Sequence, residues 1–229
     1  MLELKNVTYE YQLKHRTKKV ALKDISMRLE KGKFYTVFGV SGSGKTTCLS
    51  LLGGLDIPTS GKVLLDGQDV MQIGLSQLRR QYVSYIFQDY QLFTYMTAVE
   101  NVMTALDISH PEMTVQDMKE KAVAVLCELG LTENEINRKV TQLSGGQMQR
   151  VAIARALAVD AQYILADEPT GNLDENNTDI IITLLRKLTD DWGKCVVVVT
   201  HSRRVQEASD VSFILDDGKI EEIKRMRVD

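Results

Sequence analysis

Cysteine, proline, basic excess and long apolar runs are all scarce in this chain of 229 residues. Three cysteines, Cys48, Cys127 and Cys195, make an odd and sparse set, which argues against a disulfide framework and for reduced thiols. Three prolines leave no Pro-rich linker to mark a domain boundary. Apolar stretches such as residues 180–182 and 195–199 fall far short of the about 20 apolar residues that a bilayer span needs. The opening Met1-Leu2-Glu3-Leu4-Lys5 lacks the basic-then-apolar order of a secretory signal. With 28 Lys plus Arg against 31 Asp plus Glu the net charge is -3, so nucleic acid, which selects a basic excess, is not an expected partner. What is present, 44% hydrophobic and 26% charged residues, is ordinary for a globular chain and excludes a disordered or collagen-like one. The expectation is a soluble intracellular protein of one to two domains.

The hydrophobic pattern changes character twice. Leu2 and Leu4 alternate with polar residues, and residues 7–11 and 21–29 continue as half-buried strands. Between them Lys14-His15-Arg16-Thr17-Lys18-Lys19 reads as a solvated hairpin tip. Residues 34–38 form a short apolar run, hence a buried strand, followed by a glycine-rich loop and then helical composition over residues 46–52. Residues 63–65 and Asp66-Gly67 read as a strand and turn. From about Tyr90 to Ala158 the chain reads as helix, with Met118, Ala122, Val125, Leu126 and Leu129 on one amphipathic stripe. Residues 163–166 and 195–199 are continuous apolar runs, as parallel strands buried on both faces require, with helical sequence at 178–188 between them. Residues 211–223 read as a hairpin around Asp217-Gly218. The expected architecture is an α/β core with an inserted helical unit.

The loop Gly39-Val40-Ser41-Gly42-Ser43-Gly44-Lys45-Thr46 fits the phosphate-loop pattern of glycine, four residues, glycine, lysine, then serine or threonine. Its glycines let backbone amides approach phosphate oxygens, and the helix behind it, running on through Thr47, aims its positive end at the same anion. Lys45 offers a point charge to β- and γ-phosphates, and the Thr46 hydroxyl a ligand to magnesium. Such a loop needs a carboxylate at the end of a second buried strand. Tyr163-Ile164-Leu165-Ala166-Asp167-Glu168 provides two, Asp167 for the metal and Glu168 as general base toward an attacking water.

Leu143-Ser144-Gly145-Gly146-Gln147 opens another helix, with Ser144 and Gln147 spaced as a capping box. Gly145 and Gly146 have no fold purpose legible in the sequence and cost helix stability there. They are read as bare backbone at a second anion site.

The loop at Gly39, the pentapeptide at Leu143 with Gln149-Arg150 after it, and the strand ending Asp167-Glu168 together resemble the ATP-binding-cassette (ABC) ATPases, in order over almost the whole chain. The resemblance implies a P-loop NTPase core with a parallel sheet (residues 1–88 and 159–229), an N-terminal antiparallel β subdomain, and an α-helical subdomain at 89–158. Gln88 matches the family's glutamine loop, which touches magnesium and the membrane partner, and His201 the switch histidine of the γ-phosphate. Asn172-Leu173-Asp174 matches the loop that crosses a dimer interface. Tyr11 matches the aromatic that stacks on adenine, with Tyr9 as the alternative. Asp167-Glu168-Pro169-Thr170-Gly171-Asn172-Leu173-Asp174, with Gly53-Gly54-Leu55-Asp56, is similar to the macrolide-exporter, lipoprotein-releasing, antimicrobial-peptide-resistance and cell-division branch. Val140 departs from that branch, which usually has proline there.

The resemblance further implies ATP and Mg²⁺ as cofactors, and two cassettes pairing head to tail. Each ATP would be held by Lys45, Thr46 and the loop amides of one copy and capped by Ser144 and Gly146 of the other. The pair would drive a separately encoded membrane permease from the cytoplasmic face of the membrane, for export or extraction. A non-transporting signalling ATPase, or the ATPase of an importer, is the alternative. A phosphate-loop kinase has no need of the Leu143 motif. The chromosome and DNA-repair members insert long coiled coils where this chain has roughly 100 residues between the two motifs, and the soluble translation factors carry two cassettes per chain.

Overall fold

The computed structural model describes residues 1–12 and 17–224. The expectation for Lys14, His15 and Arg16 lies outside these residues. The N-terminal strands β1 (Leu2–Gln12), β2 (Lys18–Leu29), β4 (Ser60–Leu65) and β5 (Gln68–Asp69) form an antiparallel sheet in the order β2-β1-β4-β5. The second sheet has β3 (Phe34–Phe38), β6 (Val83–Ile86), β7 (Tyr163–Asp167), β8 (Cys195–Thr200), β9 (Val211–Asp216) and β10 (Lys219–Lys224), in the order β10-β9-β3-β8-β7-β6. All its neighbours are parallel except β9 and β10, which form the expected hairpin. There Asp217 and Gly218 both take positive φ, 41° and 73°, the backbone that a two-residue turn between twisted strands demands.

The apolar runs are explained by what lies on either face of this sheet. On β8, Val196 and Val198 face one core, shared with the helices of residues 98–158, while Cys195, Val197 and Val199 face another beneath the antiparallel sheet. On β7, Ile164 and Ala166 divide from Tyr163 and Leu165 in the same way. A strand buried on both faces cannot alternate polar and apolar residues, which is why these two read as continuous runs.

Helix α1 (Lys45–Leu52) follows the loop after β3, and α2 (Val70–Ile73) and α3 (Leu75–Gln81) precede β6. Then come α4 (Ala98–Ser109), α5 (Val115–Glu128), α6 (Glu133–Ile136) and α7 (Gly145–Ala158), which pack around Val102, Leu106, Met118, Ala122, Leu126 and Val151. Thr97, Thr114, Thr132 and Ser144 cap these four helices, each hydroxyl accepting from an amide of the first turn. The sequence reading places helix from about Tyr90, whereas α4 begins only at Ala98. Tyr90 and Gln91 take φ of 60° and 49°, and left-handed residues cannot enter an α-helix. Arg155 of α7 holds that segment by donating to the carbonyls of Tyr90, at 2.9 Å, and of Gln91. Val140 sits in a 3-10 turn and its N–H donates to Met96 O at 3.1 Å, a bond that proline cannot make. The chain closes with α8 (Glu175–Asp190) before β8 and α9 (Arg203–Glu207) before β9.

Candidate active site

Parallel pairing puts the ends of β3, β8 and β7 side by side. Phe38 pairs with Thr200, and Val199 with Asp167. The glycine loop after β3, the carboxylates ending β7 and His201 after β8 therefore emerge at one edge, the usual ligand crevice of a parallel sheet. A cleft of about 470 Å³ opens there, lined by Tyr11, Ser41, Gly42, Ser43, Gly44, Lys45, Thr46, Thr47, Gln88, Asp167, Glu168 and His201. These side chains come from positions separated by most of the chain length.

The loop is shaped by three glycines with different reasons. A Cβ on Gly39 would stand 2.4 Å from Leu215 O, and one on Gly44 would stand 2.6 Å from Ala21 O, so neither position admits a side chain. Gly42 has φ +80° and no atom within 4 Å of where its Cβ would be, so the loop presents bare backbone to the cleft. Gly44 stands at the N-cap of helix α1 and has no side chain to cap it, unlike the helices capped by threonine or serine. Its first-turn amides are left to an anion. Ser43 Oγ is buried without a hydrogen-bond partner among the described residues, a polar atom that a phosphate oxygen would satisfy. Lys45, 8% exposed, donates to Gly39 O at 2.9 Å and Val40 O at 3.1 Å.

Asp167 and Glu168 diverge although they are neighbours. Glu168 lies just past the end of β7 with φ +43°, and this left-handed turn swings its carboxylate away from that of Asp167. Asp167 Oδ1 accepts from Thr46 Oγ1 at 3.4 Å. Burial, and then the charge of Glu168, raise the Asp167 pKa above the ordinary carboxylate value, while the Thr46 hydroxyl opposes the shift. Glu168 Oε1 lies 2.8 Å from His201 Nδ1 and 3.9 Å from Lys45 Nζ, and Oε2 accepts from Thr200 Oγ1 at 3.1 Å.

Tyr11 lines the cleft and Tyr9 does not, so of the two tyrosines only Tyr11 reaches it. Its hydroxyl lies 2.8 Å from Thr47 Oγ1, and the two rings meet edge to face at 5.0 Å. Lys19, Val20, Ala21, Asp217 and Gly218 also line the cleft and were not anticipated. They come from β2 and from the far-C-terminal turn. The Asp217-Gly218 turn was legible, but nothing in the sequence joins it to Ala21, whose carbonyl lies 2.8 Å from a Cβ built on Gly218.

Ser144, Gly145, Gly146, Gln147 and Asp174 are absent from the cleft lining. Ser144 is exposed and forms a full capping box with Gln147. Asp174 caps α8, accepting from Asn177 N at 2.8 Å, and this bond holds its carboxyl below the usual range. The expectation that Gly145 and Gly146 lack a fold purpose is corrected for Gly146. It is buried, and a Cβ there would stand 2.1 Å from Asn177 Oδ1, so the Asn177 side chain of α8 occupies the space that a side chain at 146 would need.

The family described as ABC transporter matches residues 22–171. The chain is similar to the uncharacterized ABC transporter ATP-binding protein YclH of Bacillus subtilis, 44% identical over 95% of this chain and 94% of that one. It is also similar to the lipoprotein-releasing system ATP-binding protein LolD of Aquifex aeolicus, 42% identical over 87% of this chain and 88% of that one. Its fold matches the dimeric structure of the cassette MJ0796 from Methanocaldococcus jannaschii, with a TM-score of 0.91 and 39% identity, covering 99% of this chain and 100% of that one. A second structure of that cassette is a post-hydrolysis dimer bound to ADP and Pi.

Proposed function

The chain belongs to the ABC transporter family as an ATP-hydrolysing subunit, and from that premise we propose that two copies pair on ATP to drive a separately encoded membrane permease. The work is export or extraction of a peptide, drug or lipoprotein, by likeness to relatives such as LolD. The observation that carries the pairing is a divided site. Lys45, Thr46, Asp167, Glu168 and His201 share one cleft, while the Ser144 tip and Asp174 lie outside it on the same chain. A second copy turned head to tail would supply what each cleft lacks.

In this reading Tyr11 stacks on adenine, and the amides at the start of α1 hold the phosphates together with Lys45. Thr46 and Asp167 fit magnesium, a hard cation that takes few protein oxygens, and the raised pKa of Asp167 marks a buried carboxylate that a cation would relieve. When bound, the ion would supply positive charge to offset that of the phosphates. Gln88 stands at the cleft rim. Glu168 takes a proton from the attacking water and orients the His201 ring through the Nδ1 contact at 2.8 Å, so that Nε2, when it carries a proton, would donate to the γ-phosphate.

The permease seat lies behind the glutamine loop. A groove of about 330 Å³ is lined by Arg79, Tyr85, Phe87, Ile108 and Arg155, and Ile108 is 61% exposed within it. No helix among the described residues is long and apolar enough to cross a membrane. Docking there would hold the chain at the cytoplasmic face of the membrane, with residues 1–88 and 159–229 binding nucleotide and 89–158 carrying the Ser144 tip.

Complementation tests the pairing. Lys45→Ala and Ser144→Arg should each lose ATPase activity alone, and their mixture should regain part of it, because one composite site in a mixed pair is intact. A mixture as inactive as its components, with wild-type turnover independent of protein concentration, would exclude the shared site.

A further inference from the structure

Helix α7 opens on two glycines, and each meets its own chain. A Cβ on Gly145 would lie 3.2 Å from the Tyr90 hydroxyl, which is tight but open to adjustment. A Cβ on Gly146 would lie 2.1 Å from Asn177 Oδ1 and 2.7 Å from Asn177 Cγ, a distance no pair of atoms tolerates. Gly146 does not need glycine for a left-handed backbone, since it is not among the glycines with positive φ. It needs glycine for room.

Asn177 is poorly placed to give that room. Its N–H donates to Asp174 Oδ1 and its Nδ2 donates to Asp174 Oδ2, both at 2.8 Å. One carboxylate thus grips the residue twice, and the remaining amide oxygen stands against Gly146. Swinging the side chain aside would break the Nδ2 bond to Asp174.

We propose that Asn177 is a positioning residue for ATP hydrolysis. Wedged between the Asp174 cap of α8 and Gly146 of α7, it fixes the Ser144 tip and the Asp174 loop as one rigid edge. The inference rests on the paired reading above, in which that edge closes on the nucleotide of a second copy. The glycine at position 146 is then required by a contact inside its own subunit, not by the approach of the phosphate.

The test compares Gly146→Ala, Asn177→Ala, Gly146→Ala/Asn177→Ala and Gly146→Ala/Asn177→Asp in the full chain. Steady-state kcat and KM, fluorescent-nucleotide affinity and thermal melting are measured for each. Gly146→Ala should lower kcat by about tenfold or more with nucleotide affinity unchanged, since its own cradle is untouched. Asn177→Ala alone should lower kcat by about two- to threefold with KM unchanged. Adding Asn177→Ala to Gly146→Ala should restore kcat to the level of Asn177→Ala alone. Asn177→Asp keeps the volume but replaces the Nδ2 donor with an oxygen that the Asp174 carboxylate repels, which frees the side chain to turn away from position 146, so it should restore kcat in part. A double variant no more active than Gly146→Ala, or a Gly146→Ala protein as active as wild type, would overturn the proposal. If Gly146→Ala does not fold, Asn177→Ala decides alone, and an unchanged kcat overturns it. Failure of the paired reading would show separately, as wild-type activity that does not depend on protein concentration.

Discussion

His201 Nδ1 and Glu168 Oε1 lie 2.8 Å apart across the cleft, and Glu168 reaches that position only because its own backbone is left-handed, with φ +43°. A residue continuing β7 in extended conformation would point elsewhere. A non-glycine residue held in this region at a cleft carries strain of order 1–3 kcal/mol, which the surrounding bonds to Thr200 and His201 offset.

Glu168→Gln keeps the shape of that arrangement and removes the proton acceptor. ATP affinity should be retained, and phosphate release should fall by about 10²–10⁴. With ATP present the variant should run as a dimer on gel filtration. Phosphate release at the wild-type rate would remove Glu168 from the mechanism.

Asp167 makes the opposite trade. Its folded pKa is raised, so the charged form costs stability at every pH above its ordinary value of 3.8, and the cost is complete above the folded pKa. Asp167→Asn should therefore melt higher than wild type without nucleotide, by a few degrees, since about 1 kcal/mol is worth roughly 2–4 °C in a chain of this size. The same variant should lose magnesium-dependent hydrolysis. A lower melting temperature would show that the carboxylate stabilises the empty site.

Two surface caps predict acid sensitivity. Glu100 and Glu135 accept from the backbone N–H groups of Thr97 and Thr132, which holds both carboxyls below the ordinary 4.5. A depressed carboxyl stabilises the fold above its unfolded pKa, and that stabilisation is lost as pH falls through the lower folded value. Melting temperature should drop between about pH 5 and 3, and Glu100→Gln/Glu135→Gln should drop less, because glutamine completes a capping box without titrating. Equal acid slopes in urea or thermal melts would dismiss the caps as a source.

Leu185 tests the second helix layer. It is fully buried in the core shared by α8 and the parallel sheet. Leu185→Ala should cost about 2–5 kcal/mol, measured as a lower urea midpoint with little change in slope. Nucleotide affinity of the folded variant should be close to wild type.

The sequence by itself determined β3, β7, β8 and the closing hairpin, the phosphate loop, the carboxylate pair and the capping box at Ser144, because each depends on spacing within a dozen residues, whereas β5 and β6 were not legible in it. Continuous apolar runs identified β7 and β8 for the same reason: two-faced burial leaves no polar position to hide. Tertiary structure alone decided which distant elements meet. Parallel registry brought Thr46 to Asp167 and His201 to Glu168, and the packing of β2 against the closing hairpin added Ala21 and Gly218, from opposite ends of the chain, to the cleft. It also reversed the meaning of Gly146, which local sequence shows as exposed backbone at a helix tip and packing shows as the floor beneath Asn177. Helix starts such as Ala98 were likewise settled by left-handed turns and by Arg155 reaching back from α7, interactions that no window of neighbouring residues contains.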